Sequence, residues 1–182
     1  PSTIQALRRN VSLNEAHNVK VHEAAVGSEN TTMLFHADPQ ERATARRTTT
    51  DEEHTVEVPE VSLDRWAETR GIDSISLLKV DVEGYEKDVF EGAKSLLRDR
   101  RVGIVYFEVC PALARQAGVS PSEGATLLED CGYSLYQLTG GGTLLTTEAG
   151  ATEDVELENW VALRPSEEVR RNQDLRDLRP NT

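Results

Sequence analysis

Apolar residues recur along this chain at two spacings, and the alternation between them marks out successive elements. Ile4, Leu7 and Val11 repeat at helical intervals, with Arg8, Arg9 and Asn10 on the other face. Val19 to Val26 reads as a strand that Gly27 and Ser28 turn, and Thr32 to His36 and Thr55 to Val58 as shorter alternating strands. The polar stretch between those two, Asp38 to His54, is long for an ordered loop. It is either a lid or binding loop or a plain mobile connection. Asp64 predicts the N-cap of a short helix carrying Trp66 and Ala67, which Gly71 closes.

Ile75 to Val82 places apolar residues on both faces, which predicts an interior parallel strand covered on both sides. Val89, Phe90, Ala93, Leu96 and Leu97 form one face of a helix from Glu86 to Arg98, which Gly92 weakens without breaking. Val102 to Val109 reads as a second buried strand. Ser120-Pro121-Ser122-Glu123 is a capping box with proline at the first helical position, opening a helix that runs to Gly132. Strands follow at Ser134 to Leu138, Thr143 to Thr147 and Asn159 to Leu163. Gly140-Gly141-Gly142 lacks the following helix that a phosphate loop needs, so it reads as a hairpin turn. Strands alternating with helices through short links predict an α/β fold with an open parallel sheet.

A length of 182 residues points to one domain, placed at residues 1–164, with a charged tail at 165–182. No apolar run approaches a membrane span, and no signal peptide is visible. The net charge is −12, and the last eighteen residues are balanced, so the acidic excess lies in residues 1–164. That argues against nucleic acid as a partner. Cys110 and Cys131 fit no zinc spacing and read as buried free thiols. The four histidines never pair at metal-ligand spacing. A reducing cytoplasm fits this composition. The chain starts at Pro1 and its one methionine is Met33, so a processed, trimmed or partial sequence is expected.

In open parallel sheets, ligands bind at the carboxyl ends of strands. Asp81 and Glu83 end the first buried strand and Glu108 ends the second, so the three acids are expected on one rim. Carboxylates at the mouth of an apolar sheet are costly unless cations or donors meet them. They could cap the following turns or pair with arginines. Otherwise the rim takes a cationic ligand, a metal or a proton.

Leu78-Lys79-Val80-Asp81-Val82-Glu83-Gly84-Tyr85-Glu86, with Val89-Phe90-Glu91-Gly92-Ala93 and Leu96-Leu97, resembles the FkbM family of S-adenosylmethionine-dependent methyltransferases. Leu7 to Asn14, Val19 to Gly27, Val58 to Asp64, Ile104 to Glu108 and Gly132-Tyr133 agree in order. The resemblance implies a Rossmann-like class I methyltransferase fold and methyl transfer to a hydroxyl of a sugar, polyketide or similar small metabolite. It places Asp81 beside the methyl-donor end of the cofactor, as base or as binder of its amino group. Glu83 would fix the loop or meet the acceptor, and a base for the acceptor hydroxyl is expected at Asp81 or Glu83, with Glu108 next. Ala24 and Ala25 would lie against the adenine, and Glu108 would lie on the acceptor side. The family often carries a histidine shortly after that glutamate, where this chain has Cys110.

The family's glycine-rich loop and first two strands would precede Pro1, so an incomplete fold is expected. The sheet would then be left unstable or frayed near the N-terminus, or completed by a further segment or a second copy. Two other readings stay open. One is a non-catalytic binding module. The other is a transferase using magnesium among Asp81, Glu83 and Glu108.

Overall fold

The computed structural model describes residues 2–36, 46–48 and 55–164. The expected charged tail and most of the 38–54 loop lie outside these residues. The chain forms two units, Pro1–Ala25 with Glu29–Val61, and Val26–Ser28 with Ser62–Thr182. Among the described residues no helix is long and apolar enough to cross a membrane.

In the first unit, helix α1 (Ser2–Leu13) forms as its periodicity predicts, with Leu7 and Leu13 exposed. Its Arg8 pairs with Glu23 at 2.6 Å. The sheet has the order β1-β4-β2-β3, from β1 (Ala25–Val26), β2 (Thr31–His36), β3 (Arg46–Thr48) and β4 (Thr55–Val61). β2 runs antiparallel to both neighbours. The strand expected from Val19 shrinks to Ala25–Val26, and Val19, Lys20, His22 and Glu23 are exposed. A run with so little to bury gains little from pairing. β4 continues through Pro59, which stands opposite Thr32. Buried Glu60 accepts the Glu29 amide at 3.1 Å.

The second unit holds a five-stranded sheet in the order β5-β6-β9-β7-β8. These are β5 (Ile75–Val80), β6 (Val102–Val109), β7 (Ser134–Leu138), β8 (Leu144–Thr147) and β9 (Glu158–Leu163). Only β5 and β6 are parallel, and β9 enters antiparallel between β6 and β7. The sheet is therefore mixed and not the open parallel one expected. The triple glycine makes the β7–β8 hairpin, pairing Leu138 with Leu144 around Gly142 at φ 76°. A hairpin forces antiparallel pairing, so this half could not be parallel. β5 also departs from expectation, because it is an edge strand with Leu77 57% exposed. Its double-faced apolar pattern cannot distinguish an edge from an interior strand.

The core stacks around β6, of which only Tyr106 and Glu108 are not fully buried. Phe107 packs edge-to-face on Phe90 at 5.5 Å and on Trp160 at 6.3 Å. Leu96, Leu97, Leu128 and Leu135 fill the remaining space. Buried Tyr133 donates its hydroxyl to the Val102 carbonyl at 2.6 Å.

The helix expected from Glu86 to Arg98 is two helices, α3 (Glu86–Glu91) and α4 (Lys94–Arg98). Gly92 causes the break. A Cβ there would lie 1.9 Å from the Gly27 carbonyl oxygen, and the Gly92 carbonyl accepts the Asp64 amide at 2.8 Å. Asp64 is not the N-cap of α2 (Leu63–Arg70), where Ser62 holds that place. Its carboxylate instead accepts the first-turn amides of α4, Ser95 at 2.8 Å and Leu96 at 2.9 Å. Gly71 closes α2 at φ 63° as expected. Beyond β6 come α5 (Pro111–Gln116) and α6 (Glu123–Asp130). The capping box forms in part, with Glu123 accepting the Ser120 amide at 3.0 Å.

Candidate active site

The carboxyl ends of β5 and β6 bring the acidic residues together. The register pairs Lys79 with Tyr106 and Val80 with Phe107, so Asp81 and Glu108 leave the sheet side by side. Glu108 is half-buried, and its pKa rises above the ordinary 4.5. Desolvation is the main cause, with repulsion from Asp81 and Glu83 adding to it and Lys79 opposing it. Asp81 itself is exposed, and Lys79 Nζ holds its carboxylate at 2.5 Å.

After Asp81 the chain turns through two left-handed residues, Glu83 at φ 54° and Gly84 at φ 95°. The first is uncommon for a residue with a side chain. The second is required to be glycine, because a Cβ there would lie 2.6 Å from the Leu113 carbonyl carbon and oxygen. α5 therefore rests directly on the turn.

Glu86, which sequence reasoning passed over, braces this turn. Its carboxylate accepts the Gly84 amide at 3.3 Å and the Val82 amide at 3.4 Å. Burial pushes its pKa up, and nearby Glu108 adds to the rise. The backbone amides of Glu86, Gly84 and Val82 pull it back down. The available signal was positional: a glutamate at the first residue of a helix, two after a glycine, can reach back to the amides of the turn before it.

Glu86 and Glu108 line a small cleft of about 30 Å³ with Phe107, Cys110, Pro111 and Ala114. One wall is tied by Lys87, whose Nζ lies 2.9 Å from Glu123 on α6. Asp81 and Glu83 stand at the same strand ends but do not line the cleft. Ala24 and Ala25 belong to the first unit, half-buried where β1 begins. Cys110 and Cys131 are free thiols, each half-buried, and burial raises the Cys131 pKa. Among the described residues, no three His, Cys, Asp or Glu side chains are grouped closely enough to hold a metal ion.

The family model described as the methyltransferase FkbM domain matches residues 1–135. A protein named Methyltransferase 1, from Beauveria bassiana (strain ARSEF 2860), is 27% identical over 155 residues. That match covers 74% of this chain and 60% of the relative, so the chain spans about three-fifths of the length of the curated relative it matches. No solved structure matches the chain.

Proposed function

The chain belongs to the FkbM methyltransferase family, and from that premise we propose that it serves S-adenosylmethionine-dependent O-methylation, with Glu108 as the base that takes the acceptor's proton. One observation carries this reading. Glu108 is the rim carboxylate that both lines a cleft and has its pKa raised by its surroundings. A base works best when its pKa approaches the working pH. The acceptor is a hydroxyl of a sugar, polyketide or similar metabolite.

The rim suits the proposed cofactor chemically. Asp81, Glu83 and Glu108 gather negative charge at one strand end, which favours the cationic sulfonium and ammonium groups of S-adenosylmethionine. When bound, that cofactor supplies an electrophilic methyl group. The protein's part is to hold the hydroxyl against Glu108, to exclude water with Phe107, Pro111 and Ala114, and to accept a proton on the Glu108 carboxylate. Positioning of this kind supplies about 7–11 kcal/mol of a barrier. Lys79 holds the Asp81 carboxylate in an ion pair at the edge, which fits a binding role better than proton abstraction.

Calorimetric titration with S-adenosylhomocysteine, alongside transfer of labelled methyl groups to a panel of hydroxyl compounds, tests the reading. Glu108→Gln is expected to retain cofactor binding through Asp81 and Glu83, weakened by the loss of one charge, and to lower kcat by about 10²–10⁴-fold. Full turnover in that variant removes Glu108 as base. Absence of both binding and transfer in the wild-type chain counts against the activity itself.

A further inference from the structure

At the opposite, amino-terminal end of β5 and β6 lies a second cleft, of about 280 Å³. Arg100, Arg101 and Arg164 line it together with Ser74, Ser76 and Gly103. No Asp or Glu is among the lining residues, although Asp73 and Asp99 flank it in sequence. Three arginines among its lining residues give this cleft a positive sign in a chain whose net charge is −12.

The arginines are placed by backbone contacts. Arg101 donates its Nε to the Asp73 carbonyl at 2.7 Å and one terminal nitrogen to the Ile72 carbonyl at 2.6 Å. Its other terminal nitrogen has no part in those two bonds. Arg164, which follows β9, donates to the Arg100 carbonyl. Arg100, at φ 57°, is the left-handed residue that ends α4, with its own amide donating to the Leu97 carbonyl and the Arg101 amide to the Leu96 carbonyl. Arg100 is exposed. Gathering like charges costs energy, which an oxyanion would offset.

We propose that this cleft binds the phosphoryl group of a small phosphorylated molecule. Guanidinium forks match the oxygens of phosphate in pairs, and the serine hydroxyls supply further donors. The volume sits at the small end of ligand pockets, enough for a pyrophosphate. The acidic chain as a whole disfavours a polyanion such as duplex DNA. The site lies at the far end of the strands from Glu108 and is independent of the methyl-transfer reading.

The test is calorimetric titration of the full chain with inorganic pyrophosphate at low ionic strength. Saturable one-to-one binding is expected, weakened about tenfold or more in Arg100→Ala, with no change in Lys79→Ala. The Arg100 side chain can be removed while its carbonyl still accepts from Arg164, so that variant is expected to fold, and circular dichroism checks it. No saturable binding at low millimolar pyrophosphate overturns the proposal. Equal affinity in Arg100→Ala, equal loss in Lys79→Ala, or equal affinity for succinate also overturns it. Tighter binding of a short DNA duplex than of pyrophosphate would assign the cleft to nucleic acid instead.

Discussion

Replacing Gly84 by alanine probes the turn that connects the acidic rim to α5. Two costs add. At φ 95° the new Cβ meets the left-handed penalty, about 1–2 kcal/mol. The same atom falls 2.6 Å from the Leu113 carbonyl and 2.9 Å from the Ala114 amide nitrogen. Reaching the 3.4 Å where ordinary contact begins requires α5 to retreat by about 0.8 Å, since 3.4 less 2.6 is 0.8. The obstacle is backbone, so no rotamer change relieves it, and overpacking adds about 1–3 kcal/mol. The total loss is then about 2–5 kcal/mol.

Gly71→Ala is the matched control. It is also left-handed, at φ 63°, but nothing lies within 4 Å of its added Cβ, so only the first penalty applies. Any stiffening of the unfolded chain is common to both variants and cancels in the comparison. Urea unfolding followed by the fluorescence of Trp66 and Trp160 measures the difference. Gly84→Ala should unfold more easily than Gly71→Ala by about 1–3 kcal/mol. It alone should also lower methyl transfer, because Pro111 and Ala114 of α5 line the cleft. Equal destabilisation of the two variants would refute the proposed contact between the turn and α5.

Two further outcomes follow. Asp64→Ala removes the carboxylate that accepts the Ser95 and Leu96 amides, and a loss of about 1–2 kcal/mol is expected in the same unfolding assay. Glu108 has a raised folded pKa, so the folded state binds more protons than the unfolded state just above pH 4.5. Wild type should lose stability relative to Glu108→Gln as pH rises from 4.5 through the raised value, and the gap should be constant beyond it. A gap independent of pH contradicts the burial assigned to this carboxylate.

The elements were legible wherever a period or a turn residue fixed them. Val102 to Val109, the glycine hairpin and the Gly71 cap fall where the sequence pattern places them. Partnership was not legible. Nothing in the residues of β9 states that it pairs antiparallel with β6, and the apolar faces of Ile75–Val80 do not announce an edge. Gly92 looked tolerable inside a helix because its constraint comes from Gly27, far away in the chain. The meeting of Asp81, Glu83 and Glu108 was legible from their shared position at strand ends, and Glu108 alone of the three lines the cleft. The brace from Glu86 was missed because it depends on the left-handed turn that precedes it.

The position of β9 has a consequence for how the protein is made. Among the described strands it leaves the ribosome last, yet it sits between β6 and β7. A nascent chain stalled short of Glu158 holds two partial sheets with open flanks, and Val105, Phe107 and Leu135 lack the neighbour that Trp160 and Ala162 supply. Such intermediates invite wrong pairing and chaperone capture. Among the described strands, this last six-residue one thus decides whether the β5–β6 and β7–β8 pairs become one sheet.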